Sequence, residues 1–155
     1  MTPDDTVLRV RAAMKDRALY LALLLRSYSS AMPKDQAVEL ARHAIFELGQ
    51  IKGRADPQAM TPEQWVDRHV AKGSAAVFES QIVKAEDRCE QIMTFCPLVE
   101  AWRELGCSVG EVDLLCDVAM AVDRGRAAYH GIRMELRERI GKGDAMCRLV
   151  LFRDG

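Results

Sequence analysis

The feature that most constrains the fold is a change in hydrophobic period near residue 85. Before it, apolar residues recur every three or four positions, which is typical of amphipathic helices. Asp4 or Asp5 can cap a first helix, Pro33 can start a second one, and Thr61 followed by Pro62 indicates the start of a third. The apolar positions of the first helix are Val7, Val10, Met14, Ala18, Leu21, Leu25 and Tyr28.

After residue 85 the period shortens to two. The stretches DRCEQIMTF and YHGIRMELRERI alternate as half-buried strands do, and MCRLVLF returns as a last strand after the turn GKGDA. Between them, CPLVEAWRELG and SVGEVDLLCDVAMAVDRG have helical spacing. The sequence therefore predicts an α+β fold, with a helical N-terminal half followed by a small antiparallel sheet with two inserted helices. We expect a single domain, 1–155, with 1–82 mainly helical and 85–153 carrying the sheet.

Composition narrows the class of protein. The 155 residues suffice for one domain with a hydrophobic core, and the net charge of −1 gives no basic excess for binding nucleic acid. The longest apolar stretch, residues 19–25, is far shorter than the roughly 20 residues that span a bilayer. The segment MTPDDTVLRV lacks the basic region of a signal peptide. We therefore expect no membrane or nucleic-acid partner and a cytoplasmic location.

Five cysteines are present, an odd number, and no two of them form a CxxC pair. Their spacing matches no zinc finger or zinc ribbon, and in a reducing compartment most should be free thiols. Cysteine is also often a small buried hydrophobic residue, so each position needs a second reason before it is given a chemical role. The five positions are Cys89, Cys96, Cys107, Cys116 and Cys147.

Cys96 has the strongest individual case for reactivity. It precedes Pro97 at the predicted start of a helix, where unpaired backbone N–H groups and the helix dipole stabilise a thiolate. A cysteine in this position can act as a nucleophile or as a metal ligand. The alternative is a buried cysteine that ends a strand.

The other candidates have weaker individual cases. Cys116 lies on the apolar side of a predicted helix beside Asp117, and Cys147 begins the last strand. His130, at the start of a predicted strand, could be a general base or a ligand, or could be structural. Glycines 141 and 143 suit a hairpin whose Asp144 bonds to its own turn.

The order of these features resembles the L-2-amino-thiazoline-4-carboxylic acid hydrolase family. The resemblance is carried by FCPLVEAWRELG, then LLC, then GKGDAMCRLVLF, and it covers residues 87–152. It implies an α+β fold, with catalytic cysteines and a substrate-binding glycine–aspartate turn. The positions it implies are Cys96, Cys116, Cys147, Gly143 and Asp144.

The sequence departs from the family pattern near the second cysteine. Members usually carry an acid three residues after it, and this position is Ala119 here. The nearby candidates to replace that acid are Asp117 and His130. The Asn-Pro that tends to precede the penultimate strand is also replaced by RAAYHG, and the aromatic residue after the last cysteine by Leu149.

The resemblance implies a small cytoplasmic hydrolase that opens a cyclic C–N bond of a small substrate, one that could contain sulfur. Two mechanisms stay open. The Cys96 thiolate could attack while helix N–H groups hold the developing charge. Alternatively, Cys96, Cys116 and Cys147 could hold a metal ion that activates water, with Asp117 or His130 completing the site. The alternative function is a non-catalytic module that binds a small molecule or a metal, and the apolar first helix leaves a homo-oligomer open.

Overall fold

The computed structural model describes residues 3–153, apart from the side chain of Lys72. The first half is helical. Asp4 caps the first helix by accepting a hydrogen bond from the backbone N–H of Val7 at 2.8 Å, and Thr61 and Gln64 form a capping box at the third. A short π-helical segment with Gly73 in a left-handed conformation (φ 92°) joins the third helix to the fourth. The helices are α1 (Asp5–Ala31), α2 (Lys34–Ala55), α3 (Pro62–His69) and α4 (Ala75–Phe78).

The second half carries a four-stranded antiparallel sheet in the order β1-β2-β4-β3. Three helices lie between β2 and β3 along the chain, and a short 3-10 turn at Ile140–Lys142 connects β3 to β4. The strands are β1 (Ser80–Lys84), β2 (Arg88–Met93), β3 (Arg133–Glu138) and β4 (Cys147–Phe152). The helices are α5 (Pro97–Glu104), α6 (Val109–Ala119) and α7 (Ala121–Tyr129).

The predicted fold class is confirmed. A helical N-terminal half is followed by a small antiparallel sheet with inserted helices. Two details differ from the expectation: the second inserted helix is divided at Met120 into α6 and α7, and β1 adds a strand before β2. None of the helices in the described part of the chain is long and apolar enough to cross a membrane.

The strand register decides which sheet residues face the helices. Met93 of β2 pairs with Cys147 of β4, and Leu149 pairs with both Gln91 and Leu136. Since alternate residues point to opposite faces, these side chains share one face. That face, buried under the helices, positions Cys147.

Helix α7 is held against α2 at a glycine contact. A Cβ atom at Gly49 would lie 2.1 Å from the carbonyl oxygen of Val122 and 2.9 Å from the Cα of Gly125, so no larger residue fits without movement of the backbone. This close approach fixes the position of α7, which carries two charged residues of the cavity described below.

Candidate active site

A cavity of about 280 Å³ lies between the helices and the buried face of the sheet. Three of the five cysteines line it, and we call these the thiol cluster: Cys96, Cys116 and Cys147. The structure thus brings together three residues that are up to 51 positions apart in the sequence. A cavity of this size suits a small organic ligand.

Each member of the thiol cluster is placed by a different element. Cys96 is the N-cap residue of α5 before Pro97, Cys116 lies in α6, and Cys147 begins β4. The 3-10 turn closes over them, since a Cβ atom at Gly141 would lie 2.4 Å from the Sγ of Cys116. The backbone N–H of Ile140 donates to the Sγ of Cys147 at 3.3 Å.

Burial keeps these thiols protonated. It raises the pKa of Cys96 from 9.0 to about 11, although the backbone N–H groups of Val99 and Leu98 act in the opposite direction. Burial also raises the pKa of Cys116 and that of Cys147. The lowering that a helix N-terminus can give to a thiol pKa is therefore outweighed here by desolvation.

The thiol cluster does not form a ready metal centre. Among residues 3–153, no group of three or more His, Cys, Asp or Glu side chains is arranged to hold a metal ion. The five cysteines are all free thiols. Coordination of a metal by Cys96, Cys116 and Cys147 would require these side chains to rearrange.

Asp117 faces away from the cavity. Its carboxylate pairs with Arg42 of α2 at 2.6 Å and with Arg124 of α7 at 3.0 Å. Burial acts to raise the pKa of Asp117, but these arginines outweigh it and lower the pKa below 3.8. The negative charge of Asp117 is therefore already balanced by Arg42 and Arg124. Its carboxylate does not lie beside the thiols, as that of a catalytic acid or base would need to.

His130 belongs to a separate buried group, which we call the Asp56 network: Asp56, Arg68, Arg126 and His130. The backbone N–H of Met60 donates to Nδ1 of His130 at 3.3 Å, so the Nε2–H donates to the Asp56 carboxylate at 2.8 Å. The His130 side chain is only 2% exposed and lies outside the cavity wall. This arrangement is that of a structural histidine.

Asp56 is saturated with partners. Arg126 binds it through two nitrogens, each at 2.9 Å, and Arg68 contributes a third cationic contact at 3.0 Å. Burial acts to raise the pKa of Asp56, but hydrogen bonds from Arg126 and His130 outweigh it and lower the pKa from 3.8 to about 2. The network thus fixes Arg126, which also lines the cavity.

Gly143 and Asp144 lie at the surface, outside the cavity wall. Gly143 adopts a left-handed conformation (φ 112°) that favours glycine. The carboxylate of Asp144 accepts a hydrogen bond from the backbone N–H of Arg139 at 2.9 Å. In this structure both residues shape the turn before β4, and they do not contact the space in which a substrate would bind.

Charged residues that sequence reasoning missed lie in the cavity wall. Asp123 and Arg126 come from the segment DRGR of α7, and Arg139 lies before the 3-10 turn. Arg139 pairs with Asp113 at 3.0 Å. The only sequence signal for Asp123 is its position one helical turn beyond Ala119, which also lines the cavity.

Comparison with known proteins gives one finding. A family model described as L-2-amino-thiazoline-4-carboxylic acid hydrolase matches residues 11–151, so the match extends through the helical half as well as the sheet. No curated protein matches the chain.

Proposed function

Because the chain belongs to the L-2-amino-thiazoline-4-carboxylic acid hydrolase family, we propose that it hydrolyses a small cyclic substrate at a C–N bond of the ring, in the cavity that contains the thiol cluster. The observation that carries this proposal is the convergence of Cys96, Cys116 and Cys147 on one cavity. Five free thiols suit the cytoplasm, where we place the protein.

We assign the nucleophile to Cys96. The backbone N–H groups at the start of α5 lie beside its sulfur, where they can hold negative charge that develops during attack. With a pKa of about 11, the thiol is protonated at neutral pH and must lose its proton to react. A ring nitrogen of an amidine-type substrate can accept that proton, which produces a thiolate beside an activated carbon.

The covalent reaction then proceeds in two steps. The Cys96 sulfur forms a bond to the carbon of the ring C–N unit, and collapse of the tetrahedral carbon breaks the ring C–N bond, with the nitrogen leaving together with the proton that it took from Cys96. Water then adds oxygen to the same carbon and breaks the S–C bond, which returns the thiol. The reaction needs no redox partner.

Two arginines favour a substrate that carries a carboxylate. Arg126 is 5% exposed, and its Nη1 has no hydrogen-bond partner within residues 3–153, because Asp56 takes only Nε and Nη2. Arg139 lies in the same wall, close enough to the sulfur atoms to favour negative charge on Cys116 and Cys147. A carboxylate bound between these side chains would gain charge-assisted hydrogen bonds.

The second candidate function is a module that binds the same class of molecule without hydrolysing it. The raised pKa of each member of the thiol cluster and the alanine at position 119 favour this alternative. It differs from the hydrolase in one respect that can be measured, since the bound molecule leaves unchanged.

The test is incubation of the purified chain with 2-amino-thiazoline-4-carboxylate, with ring opening detected as a product heavier by one water. We expect turnover by the parent and at least about a 1,000-fold loss in Cys96→Ser, because serine is a far weaker nucleophile in the same place. Cys107→Ser is the matched control, since Cys107 lies outside the cavity beside Arg26. Full activity of Cys96→Ser would remove Cys96 as the nucleophile.

Elemental analysis of the same purified chain separates the two mechanisms. About one equivalent of zinc or iron, with the thiol cluster protected from titration, would replace the cysteine nucleophile with metal-bound water. Binding of the substrate without any ring opening would instead support the non-catalytic module.

A further inference from the structure

Asp123 is the one carboxylate in the cavity wall among residues 3–153. It lies in the first turn of α7, next in the wall to Met120 and Val122. Its carboxylate forms no hydrogen bond or ion pair with any other residue that the structure describes. A carboxylate in the wall of a cavity gains stability from a partner, and this one has none among the described residues.

The arginines that should neutralise Asp123 are bound elsewhere. Arg126 lies three residues further along the helix, a spacing at which opposite charges commonly pair, but Asp56 holds it. Arg124 is adjacent in sequence, yet it pairs with Asp117 at 3.0 Å. Each arginine of α7 therefore pairs with a different carboxylate, and the carboxylate of Asp123 remains available to a ligand.

Two further cations of the wall do not pair with Asp123. Arg17 and Lys52 line the cavity from α1 and α2, and both are exposed at its rim. Neither forms an ion pair with Asp123 within the described residues. A ligand that carries its own positive charge can therefore reach Asp123 without displacing a protein cation.

We infer that Asp123 binds the amidine group of the substrate and stabilises its protonated form. An amidinium presents planar N–H donors to which one carboxylate can make charge-assisted hydrogen bonds. The identity of that group rests on the proposed function, whereas the availability of Asp123 does not. Asp123 also favours the protonated amidine, which is the form that results when a ring nitrogen takes the proton from Cys96. With Arg126 and Arg139 on the carboxylate, Asp123 sets the orientation of a zwitterionic substrate.

The experiment is a binding titration that needs no turnover. The full chain is titrated with 2-amino-thiazoline, a cyclic amidine without a carboxylate, and separately with unsubstituted thiazoline, which lacks the exocyclic amine. Binding is followed by isothermal calorimetry and by intrinsic tryptophan fluorescence, since Trp102 lines the cavity. The variants are Asp123→Asn, Asp123→Glu and, as a matched control, Asp16→Asn, which removes an exposed carboxylate of α1 outside the cavity wall.

We expect the parent and Asp16→Asn to prefer 2-amino-thiazoline over thiazoline by at least about tenfold. Asp123→Asn should lose that preference, because an amide keeps the size of the side chain and removes its charge. Asp123→Glu should retain part of it. The inference is overturned if the parent shows no preference or binds neither probe, or if Asp123→Asn keeps the preference of the parent.

Turnover separates this inference from the proposed function. If 2-amino-thiazoline-4-carboxylate is bound through Asp123 but never opened, the inference stands and the hydrolase fails. If the substrate is opened and Asp123→Asn leaves KM unchanged, the hydrolase stands and the inference fails.

Discussion

In the Asp56 network both carboxylate oxygens have cationic partners, whereas the sulfur atoms of the thiol cluster are surrounded mainly by apolar groups. Asp56 receives Arg126, Arg68 and His130. In the thiol cluster the one hydrogen bond to a sulfur atom that the described residues show runs from Ile140 to Cys147. The Asp56 carboxylate finds all its partners inside the protein, while the thiol cluster faces a space that a ligand can enter.

The pKa values of the two regions shift in opposite directions. Paired cations lower the pKa of Asp56 to about 2, whereas burial outweighs the nearby backbone N–H groups and raises the pKa of Cys96 to about 11. In both regions the side chain is held in one protonation state at neutral pH. Asp56 stays charged because it is paired, and the thiols stay neutral because they are not.

The largest expected effect comes from breaking the Asp56 network. Asp56→Ala leaves Arg126 and His130 buried without their common partner, so we expect the free energy of unfolding to fall by about 3–5 kcal/mol. Urea denaturation followed by tryptophan fluorescence measures it. Asp67→Ala is the control, because the exposed pair of Asp67 with Lys84 should contribute about 1 kcal/mol or less. Equal losses in the two variants would contradict a structural role for the network.

A smaller effect is expected from acid. The pKa of Asp56 is lower in the folded chain than its ordinary value of 3.8, so its contribution to stability is fully present above pH 3.8 and is lost as the pH falls toward 2. A shift from 3.8 to about 2 corresponds to a free energy on the order of 2 kcal/mol. Unfolding free energies measured across this window should show that loss in the parent.

Asp56→Asn isolates the contribution of this one group to the acid dependence. The variant has no carboxyl group to titrate at position 56, so its stability should depend less steeply on pH between 3.8 and 2 than that of the parent. The same slope in both proteins would assign the acid dependence to other carboxylates.

The two regions differ in how far the sequence predicts them. Two members of the thiol cluster lie at recognisable boundaries, Cys96 before a helix-starting proline and Cys147 after a glycine turn, and the family resemblance grouped them with Cys116. The Asp56 network could not be anticipated. It joins Asp56 to Arg126 and His130, 70 and 74 positions away, and nothing in the local pattern of Asp56 or His130 distinguishes an internal pair from an exposed charge.

Asp123 shows why the site was only partly predictable. In the sequence, DRGR is typical of an exposed, charged end of a helix. The environment of Asp123 depends on which distant carboxylate pairs with each arginine of α7. The packing of α7 against α2 at Gly49 sets the position of these arginines. Likewise, Asp117 is nearer in sequence to Cys116 but points to Arg42 instead of the cavity. Proximity along the chain to Cys116 therefore did not identify the carboxylate that lines the cavity.

The smallest expected effect comes from the thiol cluster itself. Cys116 is 9% exposed, and the described residues show no hydrogen bond to its sulfur. Cys116→Ala therefore removes one atom from an apolar environment and leaves no polar group unpaired, which should lower the free energy of unfolding by about 1 kcal/mol. The same urea denaturation measures it, with Asp56→Ala as the reference. A loss of 3 kcal/mol or more would mean that Cys116 has a polar partner in solution, such as a bound metal ion, and the contrast between the two regions would no longer hold.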